Sequence, residues 1–179
     1  GAALHRTRLG LLDRADRIAH QSDREIHRPL RRLDDRVAIG LRLVHLLERD
    51  FEHDLQRLCI DRDLGVITFF GLARGYLTGK YRSIDHLSKS RRGSGVKGYM
   101  EGKGPQLLAV MDAIAADRGT SLAAIALAWL MAKPGVTAPI ASATSVDQLA
   151  ELMDAMELVL SAEEMRRLDD QSSVPKILS

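Results

Sequence analysis

From Leu46 onward the chain alternates between short apolar runs and longer amphipathic stretches. Val66–Phe70 is a run of β-branched and aromatic residues, the composition of a buried strand. Val136–Ala141 is a second such run. Pro139 cannot donate to a ladder, so pairing is expected to end near it. Between and around these runs the apolar positions recur at helical spacing. Leu46–Asp63 reads as a helix with Phe51, Leu55, Leu58 and Cys59 on one face and His53 on the solvated one. Pro105–Asp117 reads as a helix with Leu108, Met111, Ile114 and Ala115 inward. Leu122–Lys133 is apolar almost all round, which marks a buried helix, capped by Ser121 and stopped by Pro134-Gly135. Val146–Met156 and a last helix ending at Asp170 each open on capping-box spacing, Ser145 with Gln148 and Ser161 with Glu164. Val37–Leu43 has the look of a further short strand. Strands alternating with helices imply parallel βα units.

Two junctions carry candidate chemistry. The first strand breaks into a loop punctuated by Gly71, Gly75 and Gly79 and closed by Lys80. Glycine permits positive φ and a close backbone approach, and exposed amides in such a loop hold anions. The spacing is neither G-x-G-x-x-G nor a Walker loop, so an ordinary strand-to-helix turn is the competing reading. The second strand feeds Ser142-Ala143-Thr144-Ser145 and then a helix N-terminus, where amides and the dipole favour a phosphate; plain capping by Ser145 and Gln148 is the alternative. Both junctions follow strand C-termini in successive units, and barrels of βα units often build a phosphate site from their last two such loops. Arg82–Gly104, with Lys89, Arg91, Arg92 and Lys97, reads as a long loop, either a solvated basic connector or a charged flap over a ligand.

Composition narrows this picture in one respect and complicates it in another. The 179 residues are 45% hydrophobic and 28% charged with a net charge of +2, which suits a soluble globular chain and argues for no nucleic-acid or membrane partner. The longest apolar run, Leu122–Ala132, is too short to span a bilayer. Cys59 is the one cysteine, so no disulfide framework exists and a reducing, cytoplasmic setting is expected, with Cys59 in the core. The complication is a split in usage. Residues 1–50 hold 11 Arg, no Lys, four of the six His and no aromatic residue, with a net charge of +3. That segment reads as a basic arm, as an out-of-frame stretch of GC-rich coding sequence, or as a divergent part of the fold. The expected organisation is therefore residues 1–45 of uncertain origin, residues 46–172 as the folded part, and a frayed tail from 173.

The segments VITFFGLARGYLTGKY and SLAAIALAWLMAKPGVTAPIASATSVDQLAEL resemble the seventh and eighth strands, with their loops, of the aldo-keto reductase family. The likeness covers about residues 46–172. It implies the C-terminal portion of a (β/α)8 TIM barrel, incomplete in this chain, that binds NADP across the C-terminal ends of its strands. The implied activity is reduction of small aldehydes and ketones by hydride transfer; the alternative is a non-catalytic NADP-binding module similar to potassium-channel β subunits. By the same resemblance Phe69 lies against the nicotinamide, and Phe70, Gly71, Leu72 and Ala73 follow the pyrophosphate with Lys80 nearby. Arg92 corresponds to a flap arginine, Ser142 and Thr144 meet the 2′-phosphate, and Gln148 and Glu151 approach the adenine end. Departures are visible: Thr68 and Gly71 replace prolines, Arg74 replaces a small residue, and Leu152 stands in place of an asparagine. Val44-His45 stands where the family has Tyr-Asn. The family's catalytic Asp, Tyr, Lys and His motifs do not occur, so no catalytic residue is assigned.

Overall fold

Gly65–Phe69 (β2) is the middle strand of a three-stranded parallel sheet, flanked by Ile39–Leu43 (β1) and Val136–Pro139 (β3). The computed structural model describes residues 39–89 and 93–173, all within the unit Val37–Ser179. The expectations for residues 1–38, for Arg91 and Arg92, and for the tail beyond 173 lie outside the described residues. β1 and β2 pair in unbroken register, Ile39 opposite Gly65 through Leu43 opposite Phe69. Between β2 and β3 the register shifts at Val66/Ile67. There the Val66 amide donates to Thr137 Oγ1 at 3.0 Å, so a side-chain hydroxyl serves where the ladder slips. Pairing ends at Pro139, opposite Thr68, as a missing N–H requires.

β1 lies N-terminal to the boundary expected at residue 45. Its pairing with β2 and the complete burial of Val44 and His45 show that residue 45 falls inside the described unit. β1 is arginine-bearing and lacks aromatic residues, and its membership in the sheet rests on backbone hydrogen bonds, which composition does not report.

The helices among the described residues are Asp54–Asp61 (α1), the short Lys97–Glu101 (α2), Gly104–Arg118 (α3), Leu122–Met131 (α4), Val146–Glu157 (α5) and Ala162–Ser172 (α6). α1 is shorter than expected, because residues 45–48 form a tight turn and Asp50–Glu52 a 3-10 turn before it. Phe51 and Cys59 are buried, but Leu58 is exposed. Burial pushes the Cys59 thiol up, which keeps it protonated and inert. α4 is the core helix. Residues 123–130 are all buried, and Ser121 Oγ accepts from the Ala124 amide at 3.1 Å. α4 packs against α3, α5, β3 and the glycine loop. No single helix among the described residues is long and apolar enough to cross a membrane.

A charged cluster ties α4 to α6. Asp169 Oδ1 accepts from the indole N–H of Trp129 at 3.0 Å and from Lys133 Nζ at 2.6 Å, and lies 3.0 Å from an Arg49 guanidinium nitrogen. Arg49 also donates to Ser172 Oγ at 2.7 Å and to Glu52. Both cations lie over the Trp129 ring, Lys133 at 4.5 Å and Arg49 at 5.1 Å from its centroid.

At the start of α6 the expected capping box is present. Ser161 Oγ accepts from the Glu164 amide, and the Glu164 carboxylate accepts from the Ser161 amide. The same carboxylate takes two hydrogen bonds from Arg118, at 2.7 and 2.6 Å, and these hold Glu164 down to about 2 from its ordinary 4.5. A folded-state pKa below the unfolded one adds stability that is complete above the unfolded value and disappears as pH falls towards the folded one. Acid titration of thermal stability is therefore expected to show a loss between about pH 4.5 and 2 that Glu164→Gln removes. An unchanged acid limb in that variant would assign the loss to other carboxylates.

Candidate functional site

The C-terminal ends of β2 and β3 are joined by the Ile140 amide, which donates to the Thr68 carbonyl at 2.7 Å. The glycine loop and the Ser/Thr turn thus leave the sheet side by side, as two successive parallel units require. Phe69 ends β2 half-buried, with the Phe70 ring set edge-on at 5.4 Å. The chain then turns through left-handed backbone at Phe70 (φ 56), Ala73 (φ 49), Arg74 (φ 58) and Gly75 (φ 89). Such φ values cost side-chain-bearing residues about 1 kcal/mol each, and they fold the loop into two tight turns over α4.

That packing defines the role of Gly71. A Cβ there would lie 2.7 Å from Leu130 Cδ1 and 3.3 Å from Leu127 Cδ2, so the missing side chain lets β2 seat on α4. The loop amides are largely consumed. Ala73 donates to Phe70, Gly75 and Leu77 to Leu72, and Gly79 to Tyr76. Leu72 is half-buried and Ala73 fully buried. Lys80 is exposed and folds back over Gly75, its Nζ 4.9 Å from the Tyr81 ring centroid.

In the second junction Ser142 and Thr144 are exposed. Thr144 donates both its amide, at 2.9 Å, and its hydroxyl, at 3.0 Å, to Gln148 Oε1. Ser145 Oγ accepts from the Gln148 amide at 3.2 Å. Half of the expected capping box is therefore formed, and the Gln148 side chain reaches one residue further back, to Thr144. Asp147 occupies the first turn of α5 and already complements the dipole there. Glu151 is half-buried on the same helix. Arg92 is not among the described residues.

Two residues at this edge were not singled out as site residues. Arg74 places its guanidinium 5.0 Å from the centroid of the Phe70 ring. His45, just beyond β1, is fully buried. Its Nδ1 accepts from the Leu47 amide at 3.2 Å, which leaves the proton on Nε2, 3.5 Å from the Tyr99 hydroxyl. Burial, with Arg74 as the second cause, lowers His45 to about 3 and keeps it neutral. The departures from the family pattern at both positions were the available signal. The Arg74 side chain stacks within its own loop, but the Tyr99 contact of His45 spans 54 positions and has no local sequence mark.

The sequence profile described as "Aldo/keto reductase family" matches residues 36–172. The span takes in β1, in agreement with its place in the sheet. Norsolorinic acid reductase A of Aspergillus parasiticus is 32% identical over 122 residues, 68% of this chain and 30% of that protein. The uncharacterized oxidoreductase YrpG of Bacillus subtilis is 33% identical over 125 residues, 70% of this chain and 37% of that protein. An aldo/keto reductase from Klebsiella pneumoniae, solved in complex with NADP and acetate, superposes with a TM-score of 0.57 at 27% identity, covering 79% of this chain and 42% of that one. The chain spans about a third of the length of the curated relatives it matches.

Proposed function

The chain belongs to the aldo/keto reductase family, and from that premise we propose that it carries the NADP-binding C-terminal part of an oxidoreductase that reduces small aldehydes and ketones. The observation that carries this reading is the pairing of the two junctions at one edge of the sheet by the Ile140–Thr68 hydrogen bond. The Klebsiella pneumoniae relative with NADP bound supports it. When bound, the nicotinamide supplies hydride to a carbonyl carbon.

The residues present fit such a cofactor in part. Phe69, half-buried at the strand end, offers a ring face to the nicotinamide. Phe70, Gly71, Leu72 and Ala73 form the backbone that the pyrophosphate would follow, with Arg74 and Lys80 as nearby cations. Ser142 and Thr144 present exposed hydroxyls to a 2′-phosphate, and Gln148 and Glu151 flank the adenine end. By the family resemblance, Arg92 would add a charge-assisted contact to the cofactor. The fit is weakest in the glycine loop, where most amides are already bonded. A free, buried Cys59 accords with a reducing, cytoplasmic setting. The second reading, a non-catalytic NADP-binding module, is favoured by the burial of Tyr76 and Tyr81, which removes two phenols from proton transfer.

Titration with both cofactors tests the assignment. Hydrogen bonds to a charged group contribute about 1–3 kcal/mol each. Asp147 lowers what a dianionic phosphate gains at α5, so the expected preference for NADP over NAD is about tenfold. Arg92→Ala and Thr144→Glu should each narrow it, the second by like-charge repulsion. Equal affinity for the two cofactors, unchanged in both variants, would leave these residues only their roles in cap and loop.

A further inference from the structure

Helix α2 is five residues long and buries none of them fully. A helix of little more than one turn does not hold itself in water, so its place depends on what it docks against. Val96, the residue before it, is fully buried. Within the helix, Tyr99 and Met100 are half-buried against the core. Tyr99 also reaches two other parts of the chain. Its ring stands edge-on to His45, just beyond β1, at 5.6 Å, and is tilted against Tyr76, in the glycine loop, at 5.9 Å. The His45 imidazole is thus the contact that ties α2 to the end of β1.

His45 fits this position only as a neutral ring. It is fully buried, with Nδ1 accepting from the Leu47 amide and Nε2 set against the Tyr99 hydroxyl. A second proton would go to Nδ1 and meet the Leu47 N–H, donor against donor, and its charge would be shut away from water. The charged and titratable groups set around the ring are Tyr99 from α2, Arg74 from the glycine loop and Glu48 from its own turn. Arg74 opposes a positive charge on His45. Glu48 is joined to His45 by two backbone hydrogen bonds, at 3.1 and 2.9 Å, that close the turn.

We propose that His45 is an acid-sensitive latch: its protonation releases Tyr99 and lets α2 come away from the end of β1 and from the glycine loop. The released segment borders that loop directly. A Cβ on Gly95 would lie 3.2 Å from Arg74 Cδ, and the Tyr76 hydroxyl occupies the space beside Gly104. Opening therefore uncovers the side of the glycine loop that carries Arg74 and Tyr76. With α2 docked, the His45 ring is held down to about 3; in the opened segment it returns to its ordinary 6.5. A docked-state value below the open-state one means that docking is at full strength above pH 6.5 and weakens as pH falls towards 3. Between pH 7.5 and 4.5 the open fraction rises about 100-fold.

The inference does not involve cofactor and is tested without it. Amide hydrogen exchange of the full 179-residue chain is followed from pH 7.5 to 4.5, with rates corrected for the intrinsic effect of pH. Protection of the α2 amides is expected to fall about 100-fold across this range. His45→Asn keeps an acceptor for the Leu47 amide, and His45→Gln keeps a group near Tyr99. Neither titrates, so α2 protection should be flat across the range in both. Exchange in α2 should also be insensitive to low urea, as a local opening exposes little surface, whereas exchange in the core helix α4 responds to it. No fall in the wild-type chain, or a fall of the same size in both His45 variants, would overturn the proposal. Equal urea sensitivity of α2 and α4 would overturn it too, because α2 would then be freed only by global unfolding.

Discussion

The 179-residue chain, supplied with NADPH and a reactive aldehyde such as a nitrobenzaldehyde, is expected to oxidise the cofactor no faster than the uncatalysed control. Hydride transfer to a carbonyl leaves an alkoxide that must be protonated, and a positioned acid contributes about 10²- to 10⁴-fold to such a step. None of the described tyrosines is presented for this. Tyr76 is buried, burial pushes its phenol up, and its ring lies 5.9 Å from that of Tyr99. Tyr81 is fully buried beneath Lys80. Tyr99 is turned towards His45, with the rings edge-on at 5.6 Å. His45, neutral and enclosed, is no proton source near pH 7. Steady, enzyme-dependent NADPH oxidation would overturn this expectation. Its loss in Tyr99→Phe would then assign the proton to Tyr99.

Trp129→Ala is expected to have the largest effect on stability. The indole is fully buried, and truncation of a core Trp costs about 3–5 kcal/mol through lost burial and an incompletely collapsed cavity. Here the loss extends to charges. Asp169 gives up the indole donor, and Arg49 and Lys133 give up the ring face beneath them. Trp129→Phe keeps an aromatic surface and removes the N–H, which should cost about 1–2 kcal/mol. Urea unfolding followed by circular dichroism measures both, provided the denaturant slope is unchanged. A loss under about 1 kcal/mol for Trp129→Ala would mean that α4 and α6 are held by other contacts.

What the sequence disclosed, it disclosed where the determinant is local. Ser121, Ser145 and Ser161 cap helices because the amide each one satisfies lies three residues on. The all-round apolar character of Leu122–Met131 required a buried helix whatever surrounded it. Pro139 ended a strand by lacking a donor. The remainder depends on distant partners. Leu58 satisfies the helical period yet is exposed, because burial depends on what packs against α1 and not on the period alone. Gly71 shows the limit at the candidate site. A close approach to a ligand and a close approach to Leu130 both require the absence of a Cβ, so the letter alone does not separate them. The clustering of Arg49, Lys133 and Asp169 around one indole joins residues up to 120 positions apart, beyond the reach of any periodicity.

The three strands occur in space in the order in which they occur along the chain. Each of these strands then meets its partner as soon as the intervening helices have formed, and among the described residues no segment has to thread past another. Assembly can thus follow synthesis from the ribosome, unit by unit, with modest loop-closure entropy at each step. The same ordering is permissive over evolutionary time. Genetic rearrangements that add or remove material at an outer strand change the length of the array without rewiring the connections that persist.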